Sequence, residues 1–521
     1  MDLLFSRFSE KVNSVITGFD RIVFKGMIMP LMYAGGMTSF LIARSILNKD
    51  FKSYATTQSR AIVQSAEELV KSRNGYEITY IPSLNVRKEE LAHARQKETG
   101  IEEGLVGIWS CVESCNTYRA KFDPANKYPM LNFVRSKCKH LYYYFDDPVY
   151  GFMSVRLQTW APYEIQVALN GREWLRRSLD AAGCGYVVDG NKFLHIDDYD
   201  LAQGLLDEQV RTDFSEVLKG FLPTVFPAMP EVLGPDHSYY WTFWQSEVAR
   251  DYIFNDRDVL SSLMGDLQIH ALITGKGERI LRYFGSPVRL DGQPYKNTNP
   301  EIVSLTNSWY EGVRVRHWNG RNSVKFYNEQ NVFRVEMTMN DPTIFKIYRH
   351  SENQDKSEPK KLMKMRKGVA DTAARVEISK NIINRFIENI ATVEEKTRLG
   401  ELLGSVDKPV AQNGKKVRAL DVFGKDKEFL QAISDPALNV NGITNKELRI
   451  MLAGTPWAKN MTDKQLSGRV TRHLALLRKH GLIRKLPKQR KYALIENGQK
   501  ITAALNAALA TSVSELLDHA A

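Results

Sequence analysis

Residues 141–174, which read LYYYFDDPVYGFMSVRLQTWAPYEIQVALNGREW, decide the predicted fold. In FMSVRLQTW and in YEIQVALN, apolar and polar side chains alternate, which is the period of a strand with one buried face. Asn170 stands three residues before Glu173, a capping-box arrangement for a helix that Gly183 would end. The stretch therefore predicts a three-strand antiparallel meander that leads into a helix.

The outward positions of this meander carry side chains that suit nucleic acid. Guanidinium and amide groups bond phosphates and base edges, and an indole ring stacks on bases. The solvated outer face of an ordinary antiparallel sheet would show the same alternation, so that interpretation stays open. The predicted nucleic-acid contacts of the meander are Arg156, Gln158, Trp160, Gln166 and Asn170.

Length, composition and charge bound the class of protein. A chain of 521 residues exceeds one compact core, so three or four domains are expected. Hydrophobic residues at 43% and charged residues at 25% are typical of globular proteins. The net charge of +12 and the pI of about 9.2 favour a polyanionic partner, which is nucleic acid or an anionic membrane surface.

Targeting signals and cysteine content indicate the compartment. The opening residues, MDLLFSRFSEKVNSVI, mix charged with apolar side chains and predict an amphipathic helix, not a signal peptide. No apolar run reaches membrane-spanning length. Four cysteines are too few for a disulfide framework and suggest a reducing compartment. We therefore expect a cytoplasmic protein without a membrane partner, and its oligomeric state stays open.

Residues 1–140 alternate between helix and strand patterns, which favours an α/β layer. RIVFKG at 21–26, YEITYI at 76–81 and GLVGIWSCVE at 104–113 read as strands, with helices between them. Residues 116–139 are basic and predict a partly irregular segment that leads into the meander.

The middle of the chain, residues 198–285, shows a helical pattern punctuated by prolines. In HSYYWTFWQSEVARDYIF, Tyr240, Trp244, Val248 and Tyr252 lie four residues apart. This spacing predicts a helix whose aromatic stripe packs in the core.

Residues 303–349 return to strand alternation, and their outward positions are basic and aromatic. They predict a second antiparallel sheet whose outer face resembles that of the meander. Its predicted nucleic-acid contacts are Arg314, Arg316, Trp318, Lys325, Tyr327 and Arg334.

The C-terminal residues carry the most specific pattern. ITNKELRIML and MTDKQLSGRVTRHLALLRKHG each place a threonine three residues before Glu or Gln, which predicts two capped helices. LIRKL, the turn PKQR and KYAL then form a hairpin with a basic tip, followed by a last helix near Glu496. This order resembles a winged-helix domain, and LRKHGLIRKLPKQRKYALIENGQ carries the likeness.

In the winged-helix family the second helix enters the major groove and the wing touches the DNA backbone. The resemblance therefore implies contacts at residues of the second helix and of the wing. The alternative is a winged helix that contacts only protein. The implied residues are Lys464, Ser467, Arg469 and Arg472 on the helix, and Lys488, Arg490 and Lys491 on the wing.

The rest of the chain resembles a set of uncharacterised prokaryotic proteins, through FDRIVFKG, GFMSVRLQTW, IQVALNGREWL and FRVEMTMNDPTIFKIYR. VKFYNEQNVFRVEMT is also similar to phage and plasmid rolling-circle replication proteins. Those enzymes need paired histidines before a tyrosine nucleophile. This chain has no two histidines one residue apart, so the resemblance does not imply nicking activity.

Two groups of residues are candidate metal ligands. Cys111, Cys115, Cys138 and His140 offer the ligand types that zinc binds tetrahedrally. Their C-x3-C and C-x-H spacings depart from finger and ribbon patterns, so ordinary reduced cysteines in a core are the alternative.

Carboxylates at strand ends hold divalent ions in nucleases, so they form the second group. Asp20, Glu113 and Glu336 are the candidate catalytic residues, with Mg²⁺ as the cofactor. Asp20 and Glu113 lie beside strands of the same predicted layer, where they would meet. Glu336 alternates with arginines, as a routine cross-strand partner also would.

The predicted fold class is mixed α+β with several domains, comprising an N-terminal α/β layer, two antiparallel sheets with a helical middle and a C-terminal winged helix. The domains are an α/β domain at 1–140, the meander plus helix at 141–197, a helical region at 198–300, a basic sheet at 301–350, a charged connector and helix at 351–417 and the winged helix at 418–521.

The predicted function is binding of nucleic acid, either DNA or structured RNA, in the manner of a mobile-element protein. One alternative is a metal-dependent nuclease or transposase-like enzyme. Another is a scaffold whose sheets bind protein. Nucleic-acid binding weakens steeply with salt, whereas scaffold binding barely changes.

Overall fold

The protein is seen in a computed structural model that describes residues 4–5, 9–82, 86–125, 127–274, 277–286, 302–309, 312–351, 357–390, 399–412, 415–435, 438, 442–486 and 489–510. Its fold is mixed α+β, as expected. No helix in these ranges is long and apolar enough to cross a membrane.

Eleven strands form one large sheet in the order β10-β11-β12-β13-β9-β1-β6-β5-β4-β3-β2. Neighbours are antiparallel except β2 and β3, which are parallel. The strands are β1 Val12–Met27, β2 Thr79–Tyr80, β3 Gly104–Asp123, β4 Tyr128–Asp147, β5 Gly151–Gln158, β6 Ile165–Asn170, β9 Tyr240–Phe254, β10 Ile302–Trp309, β11 Gly312–Asn319, β12 Asn322–Glu329 and β13 Val332–Met339.

Within the residues that the structure describes, four two-stranded sheets accompany the large one. They pair β7 Tyr186–Asp189 with β8 Lys192–Ile196, β14 Lys346–Arg349 with β15 Lys361–Lys364, β16 Val410–Gln412 with β17 Lys415–Val417, and β18 Ile483–Lys485 with β19 Tyr492–Leu494.

The helices fall into a group that packs on the sheet and a group at the C-terminal end. The first group is α1 Ala34–Ile42, α2 Phe51–Asn74, α3 Lys88–Thr99, α4 Gly171–Ala182, α5 Tyr199–Gln209, α6 Phe214–Val225, α7 Met229–Leu233, α8 Arg257–Thr274, α9 Gly277–Tyr283 and α10 Thr372–Ile390. The second group is α11 Leu399–Gly404, α12 Lys427–Ile433, α13 Asn445–Leu452, α14 Asp463–Lys479 and α15 Glu496–Ala510.

The main hydrophobic core lies on one face of the sheet, beneath α2, α8 and α10. Alternate residues of the strands point into it, for example Val155 and Leu157 of β5 and Val324 and Phe326 of β12, all with 0% exposure. The alternation predicted for the meander and for β11 and β12 is therefore confirmed. The helix after the meander is confirmed as well, since the Asn170 side chain accepts hydrogen bonds from the first turn of α4.

The expectation of two antiparallel sheets is wrong, because β9 and β1 join both into one. β9 covers the segment with aromatic side chains four residues apart, which was predicted to be a helix. Positions four apart lie on one face of a strand as well as of a helix. β9 lies inside the sheet, between β1 and β13, and elements pack on both of its faces, so most of its residues are buried and the alternation is lost.

The N-terminal region also differs from the predicted α/β layer. Residues expected to end an N-terminal helix belong to β1, which runs from Val12 to Met27 between β9 and β6. The segment at 116–139, predicted to be partly irregular, completes the long hairpin of β3 and β4. The strands of this region therefore join the same sheet as the meander.

The other face of the sheet is covered in its central part by α4, α5 and the β7–β8 hairpin. These elements enclose a small core with Ile16, Ile253 and Val332 of the sheet strands. At the β3–β4 end of the same face, α3 covers a second small core that contains Ala92, Trp109 and Tyr144. The rest of this face is largely polar, and residues of both covers line the candidate site.

Residues 399–510, here called the C-terminal module, have a hydrophobic core of their own. Both predicted helix caps are present: Thr444 caps α13, and Thr462 with Gln465 forms a capping box at α14. The hairpin of β18 and β19 follows α14, and α15 comes after it.

Candidate functional site

The face of the sheet opposite the main core carries rows of polar side chains, and we call it the polar face. Directly paired residues of neighbouring strands lie on the same face, so the register identifies each row. One row crosses six strands, from β11 to β6, and comprises Trp318, Ser323, Thr338, Glu247, Arg21 and Asn170.

The polar face holds most of the residues predicted to contact nucleic acid, but their exposure differs. Half-buried side chains are those of Arg156, Gln166, Asn170, Arg314, Arg316, Trp318, Lys325 and Tyr327. Gln158 and Arg334 are each 1% exposed, and Trp160 packs edge-on against Phe51 of the main core. The prediction that these three form an open surface is therefore wrong.

An exposed indole, which was predicted to pack in a helix core, lies near the start of β9. Trp244 is 43% exposed, with Lys25 Nζ 5.2 Å and the Arg321 guanidinium 5.7 Å from its ring centroid. An aromatic ring between two cations offers stacking together with phosphate attraction.

Three carboxylates meet on the polar face, and we call them the carboxylate cluster. Asp20 of β1, Glu247 of β9 and Glu336 of β13 lie on adjacent strands, with one oxygen of each within 4.8 Å of the others. Asp20 is 7% and Glu336 2% exposed. The structure thus brings together two of the three predicted catalytic residues and adds Glu247.

A β-bulge places Asp20 in this cluster. The register of β1 against β9 shifts between Phe19 and Arg21, which leaves Asp20 without a partner residue in β9. Phe19 points into the main core, whereas Asp20 bonds groups on the polar face. A bulge re-aims side chains in this way and is common beside functional sites.

A buried network of ion pairs contacts the carboxylate cluster through Asp20. Arg334 donates two hydrogen bonds to Asp251, at 2.5 and 2.8 Å, and a third to Asp20 at 3.0 Å. Arg172 lies 3.0 Å from the second oxygen of Asp251. Burial alone would raise the pKa of Asp251, but the charges of Arg334 and Arg172 outweigh it and lower the pKa. Asp251 is therefore ionised.

Negative charge accumulates at Glu247. Burial, followed by the charges of Glu336 and Asp20, raises the pKa of Glu247. Lys325 lies 3.0 Å from Glu336 and balances that carboxylate. Thr338, which is paired with Glu247 across the strands, is 1% exposed, and its hydroxyl has no hydrogen-bond partner among the described residues. This hydroxyl is therefore available to accept or donate a hydrogen bond beside the cluster.

A cleft of about 450 Å³ opens beside the cluster and is the size of a small-ligand site. Asp20, Arg21, Glu247 and Asn191 of the β7–β8 turn are among its lining residues. Phe152 and His93, which stack with their ring centroids 3.7 Å apart, line it as well. Carboxylates, an arginine and aromatic rings therefore share one concave surface.

Glu113 does not belong to this site. It lies on β3, and three strands separate β3 from β1, so Asp20 and Glu113 do not meet. Arg156 contacts one Glu113 oxygen at 2.8 Å, and Tyr142 donates to the other at 2.6 Å. Burial alone would raise the pKa of Glu113, but these hydrogen bonds and the charge of Arg156 lower it to about 2. Glu113 and Arg156 form a structural ion pair.

This ion pair predicts acid lability. Because the pKa of Glu113 in the folded chain lies below its unfolded value, the pair contributes stability above about pH 4.3 that is lost as the pH falls toward 2. Urea unfolding between pH 7 and pH 3 should show this loss in the wild type. In Glu113→Gln the free energy of unfolding should be lower at pH 7 and should change less with pH. Equal pH profiles would contradict the assignment.

The predicted zinc ligands are partly brought together. Cys115 and Cys138 form a disulfide, and one ring nitrogen of His140 lies within 4.8 Å of both sulfurs. Cys111 instead donates to Glu113 Oε1 at 3.1 Å. The expectation of reduced cysteines is therefore wrong for Cys115 and Cys138, and Cys111 lies outside the group.

The predicted residues of the C-terminal module also separate by environment. Lys464, Arg472 and Arg490 are exposed, and Lys491 is half-buried. The remaining helix residues have structural roles. Ser467 donates to Asn445 at 3.2 Å, and Arg469 donates to the Trp457 carbonyl at 2.6 Å while lying over its ring. Lys488 lies outside the described residues.

Sequence reasoning missed Glu247 and Thr338 as members of the site. Glu247 lies in the segment that was interpreted as a helix, so its position opposite Arg21 and Thr338 was not visible. A strand assignment for 240–254 would have placed it on the same face as Asp251.

Comparisons with known proteins add no functional argument. No protein-family model and no curated protein matches the chain. Among solved structures, the class II 3-hydroxy-3-methylglutaryl-CoA reductase from Streptococcus pneumoniae, bound to NADPH, is similar at 7% identity and a TM-score of 0.18. The match covers 88% of this chain and 78% of the reductase. This likeness is too weak to assign a shared fold.

Proposed function

We propose that the chain is a divalent-metal-dependent phosphodiesterase that acts on nucleic acid, with the carboxylate cluster as its metal site. The observation that carries this proposal is the meeting of Asp20, Glu247 and Glu336 on three adjacent strands, beside a cleft that Asp20 and Glu247 line. Carboxylate oxygens are the ligands that Mg²⁺ prefers, and such sites keep open positions for water and phosphate.

The residues present fit a metal ion of this class. The three carboxylates would supply its protein ligands, and the Thr338 hydroxyl lies in the same row without another described partner. A bound Mg²⁺ would neutralise a phosphate and activate a water molecule there. Arg21, which lies beside the cluster in the cleft, would hold a phosphate oxygen of the nucleic acid.

The polar face supplies a path for the nucleic-acid strand. Trp244 and Arg321 are exposed at one side, whereas Lys25, which also lies near the Trp244 ring, is largely buried and ion-paired with Glu164. Arg316 lies over the Trp318 ring at 4.7 Å on β11. Phosphate attraction to these cations and stacking on these rings would orient the strand across the face.

A purely structural ion network is the competing explanation of the cluster, because Arg334 and Lys325 already contact Asp20 and Glu336. Titration of the protein with a divalent metal ion distinguishes these two explanations. Mn²⁺ binding, followed by electron paramagnetic resonance, should saturate in the wild type and weaken strongly in Asp20→Asn. Equal binding by both proteins, or none by the wild type, would favour the structural network.

Activity requires a second measurement, on single-stranded and double-stranded DNA and RNA with Mg²⁺ or Mn²⁺. Cleavage that needs the metal and is lost in Asp20→Asn supports the proposal. Inertness on all four substrates would refute it even if the metal binds.

Binding of duplex nucleic acid by the C-terminal module is a second candidate function. It is favoured by the exposed Lys464 and Arg472 on α14 and by the exposed Arg490 beside the hairpin. This arrangement is the one that the winged-helix resemblance implies, with α14 in the major groove and the hairpin on the backbone.

Substitution of Arg472 tests this function. Arg472→Ala should weaken duplex binding and reduce the slope of log K against log salt by about 1, because one phosphate contact is lost. Lys52→Ala, an exposed lysine at the start of α2, is the matched control and should leave both quantities unchanged. Wild-type binding that barely varies with salt would point to a protein-binding scaffold instead.

A further inference from the structure

We infer that Cys115, Cys138 and His140 form a thiolate–imidazole site for a zinc-class metal ion, of which the disulfide is the oxidised, metal-free form. One ligand atom from each residue lies within 4.8 Å of the other two. The three residues are 7%, 4% and 0% exposed. The site is independent of the carboxylate cluster, because it lies on β3 and β4.

His140 gives the observation that points to a ligand. Its Nδ1 lies 3.1 Å from the Cys138 carbonyl, which accepts the ring proton and fixes the tautomer. Its Nε2 then carries a lone pair and has no hydrogen-bond partner in the described residues, although the ring is fully buried. Metal-bound histidines characteristically donate their second ring nitrogen to a carbonyl or carboxylate in this way.

The distances suit a tetrahedral ion after reduction. Zn²⁺ binds sulfur at about 2.3 Å and imidazole nitrogen at about 2.0 Å, so its ligand atoms lie about 3.8 Å or less apart. Opening the disulfide separates the two sulfurs toward this spacing while the strands stay paired. Three protein ligands leave the fourth position for a water molecule.

A dithiol reductant transfers two electrons and two protons to the Cys115–Cys138 disulfide and becomes a disulfide itself. Zn²⁺ then binds both sulfurs as thiolates, and two protons leave to solvent. An added disulfide oxidant reverses these steps: it takes two electrons from the thiolates and two protons from solvent and becomes two thiols, while the Cys115–Cys138 bond forms again and Zn²⁺ is released.

The test compares the reduced and oxidised full-length chain. Protein purified with a dithiol should retain about one Zn²⁺ per chain by atomic emission. Oxidation should release that zinc as the disulfide returns, which mass spectrometry of the alkylated protein detects. Reduced protein that exposes both thiols but binds no added Zn²⁺ would refute the inference, as would a disulfide that resists reduction in the folded chain.

Variants identify the ligands. His140→Ala should lose the zinc. Cys111→Ser should keep it, because Cys111 lies opposite His140 but bonds Glu113. Cys184→Ser is the remote control, since that thiol is free and lies beside α4. Zinc lost in Cys111→Ser and kept in His140→Ala would overturn the ligand set. Co²⁺ added to the reduced wild type gives a readout that does not depend on how variants fold, through its thiolate charge-transfer absorption.

Discussion

Asp251→Asn should lower the free energy of unfolding by about 3–5 kcal/mol, the usual cost of removing one partner from a buried ion pair. Asp251 is 0% exposed and holds Arg334 through two hydrogen bonds and Arg172 through a contact of 3.0 Å. The asparagine would leave both guanidinium groups buried with the carboxylate of Asp20, 3.0 Å from Arg334 and 4.0 Å from Arg172, to balance their two charges. Urea unfolding at pH 7, monitored by circular dichroism, measures the change.

An exposed ion pair provides the control for this experiment. Asp207 contacts Lys380 at 3.0 Å, but its side chain is 49% exposed. Asp207→Asn should therefore change the free energy of unfolding by less than about 1 kcal/mol. Equal stability of the two variants would show that the buried ion network does not stabilise the association of β13, β9 and α4.

Glu247→Gln should reduce metal-dependent cleavage about a thousandfold while leaving the folded state at least as stable as the wild type. A metal ion contributes several kcal/mol to transition-state stabilisation, and each 1.4 kcal/mol is a factor of ten. Without metal, burial and the neighbouring Glu336 and Asp20 raise the pKa of Glu247, so its negative charge destabilises the fold near neutral pH. The neutral glutamine removes that cost.

If Glu247 binds a metal ion, Glu247→Gln should lose activity and keep its stability. If Glu247 belongs to a structural ion network, the same variant should lose stability. Glu89→Gln is the matched control, because Glu89 lines the same cleft from α3 but is outside the carboxylate cluster. It should leave the cleavage rate within a fewfold of the wild type. A loss of stability in Glu247→Gln in metal-free buffer would show instead that the carboxylate is structural.

The sequence predicted those strands that have one covered and one open face. In the middle of β5 and β12, buried apolar residues alternate with half-buried polar ones, as in Met153–Leu157 and Val324–Tyr327, so alternation revealed both the strand and its orientation. It failed for β13, where all eight residues are buried because α10 packs on one side and β8 approaches the other. Arg334 and Glu336 were therefore correctly placed on the polar face but wrongly taken to be open.

Two of the three residues of the carboxylate cluster could be predicted from the sequence, and the third could not. Asp20 and Glu336 stand out locally as acidic residues within apolar strands. Their meeting depends on which strands are neighbours, and the pairing of β9 with both β1 and β13 joins segments far apart in the chain. Glu247 and the bulge at Asp20 follow from that pairing, which no local pattern encodes.

The position of β1 has a consequence for synthesis of the protein. Its partner β9 follows it by roughly two hundred residues, as the pairing of Met27 with Tyr240 shows. While the ribosome makes the intervening chain, one hydrogen-bonding edge of β1 has no native neighbour. Such an edge recruits other strands, and topologies dominated by distant contacts fold slowly. Nascent chains that stop before β9 should therefore depend on chaperones to avoid aggregation.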